Sequence, residues 1–182
     1  MSSGRLTLVC ASSRHAAEPT FGESIDTGPA GIASFAGGLE TRANRSVLVS
    51  PSVHARGLAT ALGLDASFEQ ALAACSFGRW SGQRMRDVAD AEPKAFASWL
   101  ADPTSAPHGG ETISSVSERV ASWLVPLGAE SGAWIAFTHH EVVRVAVLHV
   151  LGAPLAAFAR VDVGPGAFVD VTWHRGQYRL RM

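Results

Sequence analysis

At 182 residues, with 47% hydrophobic and 17% charged side chains, the chain is long and apolar enough to bury a core, which excludes a disordered polypeptide. Fifteen basic against sixteen acidic residues leave a formal net charge of −1, so no overall field draws nucleic acid or an anionic membrane, and neither is expected as a partner. Two cysteines, Cys10 and Cys75, are too few for a disulfide scaffold and fit a reducing, cytoplasmic setting.

The first apolar run, LTLV at 6–9, is too short for a signal-peptide core and reads as a strand. VLVS at 47–50 and WIAFT at 134–138 have the same character, apolar on both faces, as in the middle of a covered parallel sheet. Pro93 suits a first helical turn opening toward Phe96, Trp99 and Leu100. Ile113, Val116, Val120, Trp123 and Leu124 share one helical face, as do Val142, Val145, Ala146 and His149 or Val150. The uncharged stretch from Ala146 to Ala159 is broken by His149 and Pro154 and falls short of a membrane span. AFVDVTW (167–173) and QYRLRM (177–182), joined through HRG, read as an antiparallel hairpin. The pattern predicts a single domain over 1–182: an α/β three-layer sandwich, its mainly parallel central sheet covered by helices on both faces. Ligands of such sheets bind at the carboxyl ends of the strands, here Cys10 and Ala11, Ser50 to His54, and Thr138 to His140.

THHEVVRVAV puts His139 where a strand hands over to a helix, whose free N–H groups and dipole favour an anion. Around it, RLTLV (5–9), FGESIDTGPAG (21–31), SPSVHARGLATALGL (50–64), SFGRWSG (76–82), HGGET (108–112) and THHEVVRVAVLHVLG (138–152) follow in order. In that order they resemble the motifs of the histidine phosphatase superfamily, the phosphoglycerate-mutase-like proteins. The resemblance runs through the closing hairpin and implies that family's fold and a phosphate-bearing small molecule or other anion as ligand. It implies no cofactor.

In that family the first strand runs into Arg-His-Gly, its histidine taking the phosphoryl group and its arginine binding phosphate oxygens. A second arginine stands in the Ser-Pro helix, and a glutamate three residues before Phe-Gly donates the proton. Carried across, Cys10 stands at the first arginine, Ala11 at the nucleophile, His54 at the second arginine and Ala74 at the acid. His139 retains the second histidine, with His140 at its usual glycine neighbour. Arg14 and His15 come four residues late, and using His15 as nucleophile demands a bulge and a compensating deletion. The ungapped reading keeps Ala11 in that place.

Three readings follow. The leading one is a degenerate member that binds an anion weakly at Cys10, His54, His139 and His140, or serves as scaffold for a protein partner, with no metal. The second is a phosphomonoesterase rebuilt on His139 and His54. The third places a metal or thiol site in the old pocket from Cys10, His54 and His139, for which sulfur and imidazole are suitable ligands. Beside these stand plainer roles: Cys10 as a small buried hydrophobe, Glu111 as a helix-start charge, Arg79 and Trp80 as turn residues, His108 and His174 as loop and hairpin residues.

Overall fold

A computed structural model describes residues 2–11, 19–22, 32–33, 35–36, 39 and 45–181. Strands β1 (Ser3–Cys10), β2 (Ser46–Val49), β3 (Ala66–Phe68), β4 (Gly132–Thr138), β5 (Phe168–His174) and β6 (Gln177–Arg181) form one mixed sheet in the order β3-β2-β4-β1-β5-β6. The first four run parallel, and the closing hairpin adds β5 and β6 antiparallel. The three apolar runs are therefore neighbours at the centre, as their two-faced hydrophobicity requires. The short edge strand β3, AlaSerPhe, has no alternation long enough to be read from sequence.

Side chains alternate along the central strands into two separate cores. Leu6, Leu8, Cys10 and Ala136 join one cluster, which helices α4 (Ile113–Leu127) and α5 (His140–Leu151) complete through Val116, Val120, Val142 and Val145. Val9, Ala11, Ile135 and Phe137 face the other, closed by Ala55, Leu58 and Ala59 of α1 (Val53–Ala61) and by Phe35. Helices thus cover both faces. Each terminates for a local reason: Ser52 and Thr112 accept the Ala55 and Ser115 N–H groups at the starts of α1 and α4, and Gly152 in a left-handed conformation (φ 61°) closes α5.

Helices α2 (Met85–Ala91) and α3 (Pro93–Ala101), the latter opened by its proline as expected, pack on an aromatic nest. Phe21 lies 5.0 Å from Phe77, 5.1 Å from Trp80 and 5.2 Å from Trp99 between ring centroids. His108 sits in the predicted loop, yet its ring is buried against Phe77 and Trp80. Its Nδ1 accepts the Gly110 N–H, so the proton rests on Nε2, which has no partner among the described residues. Burial, then the charge of Arg79, holds this imidazole below its ordinary range. HGG is packed to the backbone: a Cβ on Gly110 would lie 2.0 Å from the Ser76 carbonyl oxygen. No described helix is long and apolar enough to cross a membrane.

Candidate active site

The strand order brings the carboxyl ends of β2, β4 and β1 side by side. Cys10 is in register with Thr138, and Val49 with Phe137. One step further, the Ala11 N–H donates to the Thr138 carbonyl at 2.8 Å while the Ser50 N–H donates to the Phe137 carbonyl at 2.9 Å. The two backbones therefore flank the Thr138–His139 step on either side. His139 is the extended N-cap of α5, and its side chain makes no capping bond. Its Nε2 instead shares a 3.0 Å hydrogen bond with the Ser50 hydroxyl, and both residues are buried, at 2% and 0% exposure. The ring is fixed and enclosed rather than offered to solvent. The sequence marks Ser50 only as a strand end; its pairing with His139 comes from a hydroxyl closing the strand that lies beside the histidine-bearing one.

The turn that leads into position 74 is held by two independent ties. The Thr138 hydroxyl donates to the Leu72 carbonyl at 2.7 Å, fastening the end of β4 to a 3₁₀ turn, Gln70–Leu72. Arg119 of α4 donates to the carbonyls of Ala71 (2.6 Å), Ala73 (2.8 Å) and Ala74 (3.3 Å). Glu111 accepts from Arg119 Nε at 3.0 Å and from the Ser76 N–H at 3.1 Å, so it ties together the turn rather than merely charging a helix start. A guanidinium saturated by a carboxylate and three carbonyls is a rigid backbone clamp. It supports a residue whose side chain is a methyl group.

The other predicted positions separate. Cys10 is fully buried in the cluster containing Leu72 and Phe77, while Ala11 belongs to the cluster on the opposite sheet face. The plain reading of Cys10, a small buried hydrophobe, describes this placement. Cys75 is also buried, and burial, reinforced by Glu141 and Glu111, pushes its thiol well above the ordinary range, so it is no thiolate. Neither cysteine is in a disulfide. His54 occupies the second residue of α1, its side chain outside those described, and Arg14 and His15 lie outside the described residues altogether. Among the described residues no group of three or more His, Cys, Asp or Glu is placed to hold a metal ion. Arg56 turns away, its guanidinium 4.7 Å from the Phe68 ring centroid.

His140 and Glu141 form a pair that the sequence did not announce, Nε2 to Oε1 at 3.3 Å. Glu141 is buried, and the loss of water pushes its carboxyl up to about 7. Burial, with the charge of Arg144 and of His139, pushes the His140 imidazole down to about 4. Both shifts disfavour charge, so near neutral pH His140 is the uncharged partner and Glu141 is poised to hold or release a proton.

The histidine phosphatase superfamily (branch 1) family model matches residues 26–182, starting downstream of Cys10 and Ala11. Glucosyl-3-phosphoglycerate phosphatase of Mycolicibacterium vanbaalenii is 26% identical over 137 residues, 61% of this chain and 61% of that protein. The chain thus spans about six-tenths of that relative's length. A bifunctional protein of Mycobacterium tuberculosis is 31% identical over 94 residues, 49% of this chain and 26% of its own. Among solved structures, mycobacterial glucosyl-3-phosphoglycerate phosphatase superposes with a TM-score of 0.80 at 20% identity, covering 98% of this chain and 97% of the other. A histidine-to-alanine mutant of phosphoserine phosphatase from Entamoeba histolytica, in complex with phosphoserine, gives 0.82 at 17% identity, covering 98% and 95%. At these identities the structures establish the fold.

Proposed function

Because this chain belongs to the histidine phosphatase superfamily, we propose that it is a member whose pocket has lost phosphohistidine chemistry and keeps weak binding of a phosphate-bearing small molecule. The observation that carries this reading is the register at the strand ends. The Ala11 N–H bonds the Thr138 carbonyl, so the first-strand residue beside His139 is an alanine, which cannot attack phosphorus. Ala74, in the clamped turn, cannot transfer a proton.

Magnitude decides between reduced and lost activity. Removing the nucleophile of a covalent enzyme costs up to about a millionfold in turnover. Replacing two phosphate-binding arginines by Cys10 and His54 removes charge-assisted hydrogen bonds of about 1.5–3 kcal/mol each. Binding can outlast chemistry: the solved phosphoserine phosphatase mutant holds phosphoserine with an alanine in place of a histidine. The ligand class, a small phosphorylated acid, follows the two relatives whose names specify phosphoglycerate and phosphoserine compounds. Two buried cysteines outside any disulfide agree with a reducing, cytoplasmic setting.

A second reading, phosphomonoester hydrolysis rebuilt on His139 with His54, draws on the His139–Ser50 hydrogen bond, the arrangement by which an imidazole takes a hydroxyl proton. Steady-state assay with an aryl phosphate, together with phosphorus NMR for a phosphorus–nitrogen bond, separates the two. The first predicts background turnover and no phosphohistidine. Turnover of about 1 per second or more, abolished by His139→Ala, overturns it in favour of the second.

A further inference from the structure

A cavity of about 290 Å³ lies between α3, the first turns of α5 and the 3₁₀ segment Leu155–Arg160. Trp99, Ile113, Leu155 and Phe158 make its apolar walls, and Arg144 and His140 stand among them. Of these residues only His140 belongs to the anion site of the leading reading; Arg144, Trp99, Ile113, Leu155 and Phe158 do not.

The polar groups around this cavity are short of acceptors. Among the described residues, Arg144 Nε is buried without a hydrogen-bond partner, and so is the indole N–H of Trp99, a residue only 9% exposed. Asp162 makes an ion pair with Arg144 at 3.9 Å from a terminal guanidinium nitrogen, and that side chain is 99% exposed. Such a pair is worth little in water, and the Glu141 carboxyl, which feels the Arg144 charge, is itself pushed toward the neutral form by burial, so the guanidinium keeps room for a further acceptor. The guanidinium also lies 5.4 Å from the Phe158 ring centroid, which orients it at the cavity wall. His140, held neutral by burial, adds no second charge.

We infer that this cavity binds a small organic acid, its carboxylate on the Arg144 guanidinium and its apolar body against Trp99, Leu155 and Phe158. A single guanidinium matches a carboxylate's two oxygens through parallel hydrogen bonds, whereas a phosphate dianion calls for further cations. The walls accept an aromatic or branched body and nothing strongly polar. Volume limits size: 290 Å³ is the room of roughly ten waters, at the small end of ligand sites. The site is separate from the His139–Ser50 pair and does not depend on the fate of the phosphate chemistry.

The test uses the full chain and two probes of one shape, 3-phenylpropanoate and 3-phenylpropan-1-ol, titrated by calorimetry and by protein NMR. The acid is expected to bind at least tenfold more tightly than the alcohol, with shifts at the Trp99 indole resonance. Arg144→Met, which keeps the apolar stem, should abolish that preference, and Leu155→Trp should block both probes by filling the space. Equal affinity for acid and alcohol, no binding of the acid at millimolar concentration, or an unaltered preference in folded Arg144→Met overturns the inference. The comparison of probes on the unaltered protein stands even if a variant fails to fold.

Discussion

His139 and Ser50, eighty-nine residues apart in sequence, share a hydrogen bond of 3.0 Å between imidazole Nε2 and hydroxyl inside a buried seam. Removing the hydroxyl takes a hydrogen bond from a buried imidazole, where such a loss costs more than at the surface. Ser50→Ala should therefore lower stability by about 1–3 kcal/mol, and urea denaturation followed by tryptophan fluorescence measures it. A change under about 0.3 kcal/mol would mean that water or another group replaces the hydroxyl at no loss.

The His140–Glu141 pair makes a distinct pH signature. Glu141, raised from 4.5 to about 7, stabilises the fold fully below its unfolded value, and that contribution is lost as pH climbs through 7. His140, lowered from 6.5 to about 4, acts oppositely: its contribution is present above 6.5 and is lost as pH falls toward 4. The two slopes offset one another between about 4.5 and 6.5, leaving a decline just above. Glu141→Gln should remove that decline, so that the variant gains up to about 3 kcal/mol over the parent at pH 8 relative to pH 5. Melting temperatures of both proteins across pH 4–9 decide the matter, and parallel curves would refute it.

Gly110 tests the packing of the HGG turn. An added Cβ would meet backbone on two sides, the Ser76 carbonyl oxygen at 2.0 Å and the Gly78 nitrogen at 2.7 Å. Neither can step aside as a flexible side chain would. Gly110→Ala is expected to cost about 3 kcal/mol or more and to weaken the aromatic nest, readable as altered near-ultraviolet circular dichroism. Gly109→Ala isolates a different cause: its Cβ meets open space, but its φ of 77° strains any residue with a side chain, so a milder loss is expected.

Anion binding provides the test of His54. An imidazole at an arginine position carries charge only when protonated, with an ordinary pKa near 6.5. Sulfate affinity should increase between pH 8 and pH 6, with proton uptake measured by calorimetry in buffers of different ionisation enthalpy. Sulfate is the better probe because phosphate groups themselves titrate near pH 6. His54→Gln should flatten the dependence. Affinity already flat in the parent would assign the charge elsewhere and favour the scaffold role.

The central runs at 6–9, 47–50 and 134–138 became adjacent strands because their two-sided apolarity leaves no place but the middle of a covered sheet. Pro93 opens α3, the Ile113 stripe is the buried face of α4, and the hairpin forms as expected, with His174 extending β5 so that Arg175 and Gly176 alone make the turn. Ordered motifs located His139 at a strand end, and the register later set Ala11 beside it. These are consequences of local periodicity and of hydrogen bonding along a chain.

Tertiary structure decided which side chains meet. Ser50 reaches His139 only because β2 and β4 are neighbours with their ends level; a shift of one residue would turn the alternating side chains to the opposite face. Glu141 reads as an ordinary acidic residue in a first helical turn, yet packing buries it and moves its proton affinity into the neutral range. The loop residue His108 is enclosed by aromatic rings contributed from separate segments. Arg144 faces a cavity assembled from α3, α5 and the chain that follows α5. Periodicity says which face of an element is apolar, whereas burial of a charge depends on what covers it, and that is fixed by register and packing across distant parts of the chain.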